Sequence, residues 1–389
     1  MPTKAASKDL CAERILEGAE VISGSYERSD SGLRQRLTGL LAGFRRGDRP
    51  SGEAAAAEAQ LRELVVRRLR VARDRERIAE IALERVERPV FVIGFSRTGT
   101  TLLHSLLALD EGVRAPRWWQ THSPSPPPGE TAVASHRRVD AAWELRRFLT
   151  RCPGLLTLHP YWDDAEDSLI EDEQIATLDL QNAYPALLFD VSGQQVMSGS
   201  FDPRGAHVFQ REFLQHLQWN TPTRRWVCKG IYHQFALNSL FDVFPDALCL
   251  WPHRDPAIVQ ASTLAIATVV YGGINHWHLD RKELAQQMVY GTAAALEQLV
   301  DDPLINDPRI VHVNFKELTA DPIGTIRLAY QRWNLSFSRN FEAAMRTWLD
   351  DPGNKSDRYG RYHYALEPFG FNTMQVRSMF ARYCKRFSV

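Results

Sequence analysis

Residues 90–107 constrain the fold more than any other stretch of this chain. The apolar pair Val90-Phe91 runs into Val92-Ile93-Gly94-Phe95-Ser96-Arg97-Thr98-Gly99-Thr100-Thr101, followed by Leu102-Leu103-His104-Ser105-Leu106-Leu107. The pattern predicts a buried strand over 90–94, a tight loop bounded by glycines, and a helix over 100–109. Such a turn aims backbone N–H groups and a helix N-terminus at an anion, usually a phosphate. Four residues separate Gly94 from Gly99, as in a P-loop, but Thr100 stands in the lysine position. Ser96, Arg97, Thr98, Gly99, Thr100 and Thr101 are therefore a candidate phosphate cradle, with Arg97 adding a cation from inside it. Without the lysine that reaches β- and γ-phosphates, the loop points to an adenine nucleotide other than ATP. The bland alternative is a glycine turn that only joins strand to helix.

Short apolar runs recur downstream at 226–229, 247–251 and 309–313, with helical stretches near 205–218, 234–243 and from about 257. Strands alternating with helices predict a parallel sheet covered on both faces. Ligands of such sheets bind beyond the carboxyl ends of the strands. Two further groups of polar residues fall at such ends. Lys229 leaves one strand and His233 follows four residues later; a solvent-reaching flank and a packed histidine are the plain alternatives. Arg254 leaves the next strand within His253-Arg254-Asp255-Pro256, and Ser262 lies eight residues on, inside the following helix. An arginine and a serine converging in this way can hold a phosphate oxyanion, whereas an Arg–Asp surface pair explains only the local residues.

These segments resemble the sulfotransferases that use 3′-phosphoadenosine 5′-phosphosulfate (PAPS) as donor. Ser96-Arg97-Thr98-Gly99-Thr100-Thr101 is similar to the 5′-phosphosulfate loop of the arginine-bearing bacterial branch, with serine for the common proline. Lys229 and His233 match the lysine and histidine that face the transferred group, although Gly230-Ile231 replaces a serine-proline pair. Arg254 and Ser262 match the 3′-phosphate site. The segment Tyr359 to Phe371 is similar to the family's closing segment, where Arg361, ahead of Arg358 and Lys355, is the implied nucleotide contact. The resemblance covers about residues 89–387. It implies an α/β, P-loop NTPase-like three-layer fold with a central parallel sheet in residues 89–389, behind a helical N-terminal extension over 1–88.

Function follows from the same resemblance. The implied reaction moves a sulfuryl group from PAPS to a hydroxyl of a small-molecule or lipid acceptor, leaves adenosine 3′,5′-bisphosphate (PAP), and requires no metal. Lys229, His233 and Arg97 are the implied catalytic residues, and His233 the favoured base. Related enzymes often carry a Trp-Glu pair after the loop, but here it reads Trp119-Gln120. An amide can orient an acceptor and cannot deprotonate it. Either His233 or one of the acids in 163–173 then takes the proton, or activity is weakened. A hydroxylated menaquinone or a glycolipid is the first expectation for the acceptor. An ATP-dependent small-molecule kinase and a non-catalytic nucleotide-binding protein are the alternatives.

Composition narrows the setting. Lys+Arg and Asp+Glu number 47 each, so no overall basic field advertises nucleic acid. Five scattered cysteines without a C-x-x-C pair read as reduced thiols of a cytoplasmic protein. The first residues lack the apolar core of a signal peptide, and no run approaches a membrane span of about 18 apolar residues. The Arg- and Ala-rich helices of 1–88 read as solvated, with packing on a partner subunit (a homo-oligomer) or on a membrane surface as alternatives. Residues 114–175 read as rich in loops. The seven carboxylates of 163–173 lack metal-loop spacing and read as a solvated loop. Trp118-Trp119, Tyr161-Trp162, Tyr184 and the stretch Tyr271 to Trp277 are candidates for an apolar acceptor groove.

Overall fold

A computed structural model describes residues 11–25, 31–44, 51–130, 134–181, 202–221, 223–275 and 280–389. The chain divides into two compact units. One comprises Met1–Val86, Arg117–Trp143 and Glu171–Pro222, the other Glu87–Pro116, Glu144–Ile170 and Thr223–Val389.

The second unit is built on five short strands: β1 (Val90–Val92), β2 (Val113–Arg114), β3 (Arg225–Lys229), β4 (Leu248–His253) and β5 (Ile310–Asn314). Their order is β2-β3-β1-β4-β5, and every pairing is parallel. β1 and β4 are buried at every position because helices cover both faces of the sheet, which accounts for their unbroken apolar character. Val92 lies level with Lys229 on one side and with Leu250 on the other. The loops leaving β1, β3 and β4 therefore open side by side at the carboxyl edge. Val90, Val92, Leu103, Leu106, Val227, Leu250 and Val311 form the core beneath that edge, with Tyr330 and Phe341 outside them.

The first unit is helical, with Ala12–Ser23, Ser31–Phe44, Ser51–Arg77, Asp172–Leu178 and Pro203–Gln218 as its main elements. Ile15, Leu37, Leu61 and Val65 are among its core residues. Its charges are not all solvated. Asp179 is buried and receives Arg36 at 2.8 Å and Arg68 at 2.9 Å, so each charge brought out of water meets a partner.

Two histidines of this unit, His122 and His216, are pushed down to about 4 by burial; the His216 bond to the Pro124 carbonyl opposes the shift without cancelling it. Both stay neutral in the fold while the unfolded chain binds their protons near pH 6.5. Their contribution is thus fully present above pH 6.5 and is lost as pH falls toward 4, on the order of 3 kcal/mol for His216. Thermal unfolding followed at half-unit steps should show Tm declining between pH 6.5 and 5, before most carboxylates titrate. A level profile there would contradict the burial argument.

The region read as loop-rich instead contains the 18-residue helix Ala134–Arg151 and shorter turns at Trp118–His122, Leu155–Leu158 and Asp172–Leu178. Ala141, Ala142 and Leu145 supply a buried face at helical spacing. Among the described residues, the helix Pro256–Asn275 has one stretch, Pro256–Gly273, long and apolar enough to cross a membrane by length and composition, contrary to the sequence expectation. Ala257, Val259, Ala261, Leu264 and Ala265 are buried inside the unit, as in a core helix.

Candidate functional site

The loop after β1 is shaped by three residues with positive φ: Gly94 (112°), Arg97 (72°) and Gly99 (98°). A Cβ on Gly94 would lie 2.8 Å from Trp251 Cδ1, and one on Gly99 would lie 2.7 Å from Leu318 Cδ2. The glycines thus serve both the left-handed backbone and a close approach to the wall behind. Arg97 adopts the same region with a side chain, a strain of about 1–3 kcal/mol that the surroundings sustain. Thr98 Oγ1 donates to the Phe95 carbonyl at 2.7 Å and closes the turn. Gly99 caps the helix Thr100–Leu107 without a side-chain cap. Among the described residues, the N–H groups of Gly99, Thr100 and Thr101 take no acceptor. That leaves donors and the positive end of a helix facing one place.

Side chains from three strand exits gather around this loop. Lys229, at the end of β3, is only 5% exposed and its Nζ donates to Thr101 Oγ1 at 3.3 Å. Arg254, just past β4, donates from Nη1 to the Arg97 carbonyl at 2.8 Å. Its guanidinium stacks on Phe315, 4.0 Å from the ring centroid. Arg97 sends Nε to Ser262 Oγ at 2.9 Å and Nη2 to Tyr364 OH at 3.2 Å. Burial pushes the Arg254 pKa down, and the neighbouring Arg97 charge adds to the shift. Two cations near enough to act on one another favour an anion in their neighbourhood.

The candidates from sequence thus fall into two neighbouring groups. Thr100, Thr101 and Lys229 line the mouth of the helix, while Arg97, Arg254 and Ser262 form a second cluster. The Arg97 side chain is engaged in that second cluster, beside Ser262. Ser96 is a half-buried member of the turn. His233 opens the short turn His233–Phe235 beyond Lys229 and is fully buried. Its ring meets Phe91 edge-on at 5.0 Å and Tyr232 at 4.1 Å.

Arg361 is not drawn into either group. Its side chain is 82% exposed and pairs with Asp357 one helical turn away in sequence, at 3.1 Å. Arg358 is taken up by Asp163 at 2.8 Å and by the Pro160 carbonyl at 2.6 Å. Part of the acidic stretch therefore serves to anchor the segment before the last helices. Gln120 accepts the Arg117 N–H at 2.8 Å, as the closing residue of a helix N-terminus. Trp118 donates to the Ala141 carbonyl and Tyr161 stacks on Trp348. Tyr184 and Trp277 lie outside the described residues. Tyr364 is the residue that sequence reasoning passed over. It lies in a tyrosine-rich run, Tyr359 to Tyr364, with nothing in the spacing to separate it from Tyr362.

Similarity to known proteins agrees with this geometry. Residues 89–339 match the Sulfotransferase family. Omega-hydroxy-beta-dihydromenaquinone-9 sulfotransferase Stf3 of Mycobacterium bovis (strain ATCC BAA-935 / AF2122/97) is 26% identical over 289 residues, covering 71% of this chain and 69% of its own length. The crystal structure of sulfotransferase STF9 from Mycobacterium avium matches with a TM-score of 0.84 at 25% identity, covering 100% of this chain and 99% of that one. Sulfotransferase STF1 from Mycobacterium tuberculosis H37Rv shares the fold, with a TM-score of 0.78 at 24% identity over 96% and 98% of the two chains. The matched span holds the loop after β1, Lys229, Arg254 and Ser262, and the chain belongs to the sulfotransferase family.

Proposed function

We propose that this sulfotransferase takes its sulfuryl group from PAPS and passes it to a hydroxyl of a lipid-like acceptor. The observation that carries the donor assignment is the pair of cationic groups at adjacent strand exits, joined by the Arg254 bond to the Arg97 carbonyl. A nucleotide phosphorylated at both 3′ and 5′ positions presents two anions and suits two such groups. The residues fit that donor: unsatisfied N–H groups and Lys229 for the 5′ end, Arg97, Arg254 and Ser262 for the 3′-phosphate. When bound, PAPS supplies a sulfuryl group activated by its bond to the 5′-phosphate.

The remaining tasks fall to the chain's own side chains. Lys229, held on Thr101, neutralises charge that gathers on the 5′-phosphate oxygens as transfer proceeds. Its burial excludes water, which strengthens that interaction. The loop N–H groups need no rearrangement to assist, because the positive-φ turn already orients them. His233 takes the proton of the attacking hydroxyl, since Gln120 has no basic atom to offer. Arg254 and Ser262 supply the discrimination for a 3′-phosphorylated nucleotide.

For the acceptor, support comes from the Mycobacterium bovis relative, named for an omega-hydroxylated dihydromenaquinone. We place the terminal hydroxyl of a prenyl-quinone-like lipid as the acceptor here, with the enzyme working in the cytoplasm at the membrane face where such lipids lie. Calorimetry should show metal-independent binding of adenosine 3′,5′-bisphosphate and little response to ATP with magnesium. Transfer from PAPS to an omega-hydroxylated prenyl quinone should then yield the sulfate ester by mass spectrometry. Preference for ATP with magnesium would replace this reading with that of a kinase.

A further inference from the structure

Behind Arg254 lies a buried run of hydrogen bonds that the transfer chemistry does not use. His312 Nε2 is 2.7 Å from the Ile305 carbonyl oxygen, His312 Nδ1 is 2.8 Å from His253 Nε2, and His253 Nδ1 is 2.8 Å from Tyr383 OH. A carbonyl can only accept, so His312 Nε2 carries a hydrogen and its Nδ1 accepts when the ring is neutral. His253 Nε2 must then donate, and its Nδ1 accepts the Tyr383 hydroxyl. One polarity satisfies every atom: Tyr383 to His253 to His312 to the Ile305 carbonyl.

The run ties together the end of β4, the middle of β5, the turn before β5 and the final helix, Ala381–Phe387. Phe387 seals it, lying over the His253 ring at 3.8 Å and within 8° of parallel. On the other side of Arg254, Asp255 receives Arg377 Nε at 3.0 Å from the helix Thr373–Met379 and caps Ala257 at 3.0 Å. The tripeptide His253-Arg254-Asp255 is thus gripped from both flanks by the last two helices, with the Arg254 side chain projecting to Arg97 between them.

We propose that Tyr383, His253 and His312 are positioning residues for Arg254, so that the C-terminal helix sets how well the enzyme recognises the donor's 3′-phosphate. This rests on the assignment of Arg254 to that phosphate. Burial lowers both histidines; His312 and Arg386 add to the shift at His253, and Arg386 and Arg332 add to it at His312, where the bond to the Ile305 carbonyl opposes it. Trp251 and Phe387 cover the remaining faces with apolar rings.

The test compares binding of adenosine 3′,5′-bisphosphate and adenosine 5′-monophosphate in the full chain. Tyr383→Phe removes only the hydroxyl, and His312→Leu cuts the run at its centre. Each should weaken the bisphosphate by about 5–10-fold, the worth of one buried hydrogen bond, and leave the monophosphate unchanged. His312→Asn, whose Oδ1 can accept in place of Nδ1, should restore the preference. A general loss of packing would weaken both nucleotides together, and that result, or an unaltered ratio in both variants, would overturn the proposal. Arg254→Ala separates the two levels: if it alters the ratio while Tyr383→Phe and His312→Leu do not, only the positioning role falls. If Arg254→Ala leaves the ratio unaltered, the 3′-phosphate assignment falls and takes this inference with it.

Discussion

Lys229→Ala is expected to lower turnover by about 10²–10³-fold, the usual cost of deleting one preorganised charge at a transfer site. The effect should appear in kcat more than in donor affinity. In the ground state the loop N–H groups and the helix N-terminus already hold the 5′ end, and the lysine adds most where charge accumulates on the leaving oxygens. Burial magnifies its value, because a 5%-exposed ammonium interacts through little water. Single-turnover measurement at saturating PAPS isolates the chemical step. A rate within a few-fold of the parent would remove Lys229 from the transfer. Lys229→Arg is not a conservative control, since a planar guanidinium cannot reproduce the contact that the compact Nζ makes with Thr101 at 3.3 Å.

Arg254→Ala should weaken adenosine 3′,5′-bisphosphate by about 100-fold, equivalent to about 2.7 kcal/mol, within the range for charge-assisted hydrogen bonds to phosphate. The adenosine 5′-monophosphate affinity should change little. Arginine at this place does two things that alanine cannot. It supplies a fork for phosphate oxygens, and it braces the loop through its bond to the Arg97 carbonyl. If the bracing dominated, both nucleotides would lose affinity alike, so the pair of titrations distinguishes the roles. Equal losses would contradict the 3′-phosphate assignment.

Much of the sheet was legible in the sequence, and the reason is burial. The strands at 90–92, 225–229, 248–253 and 310–314 are short apolar runs punctuated by proline, glycine or charge, and they differ from the expected spans by only a few residues at their ends. β2 escaped notice because Val113–Arg114 is too short to show any period. The helix Ala134–Arg151 was obscured by the proline-rich stretch before it and by its many arginines, although alanine and leucine recur on one side. In the site, Arg97, Lys229, Arg254 and Ser262 could be placed because each stands at a strand end or one helix onward. Tyr364 and the His253–His312 pair could not. Their partners lie 267 and 59 residues away in the chain, and only the parallel pairing of β4 with β5 sets His253 near His312. Arg361 shows the opposite case: an aspartate four residues back gives it a local partner that the motif reading did not weigh.

The parallel register of β1 with β4 carries a consequence for how such an enzyme can change. Val92 stands level with Lys229 on β3 and with Leu250 on β4, so the exits that bear Lys229 and the loop at one end and Arg254 at the other are spaced by the backbone ladder itself, about 4.8 Å between neighbouring strands. The sheet acts as a fixed gauge for the length of the donor. A side-chain substitution can dull either end of that gauge, yet none can lengthen it. Donor choice is therefore inherited with the fold, and diversification is left to whatever surface meets the acceptor.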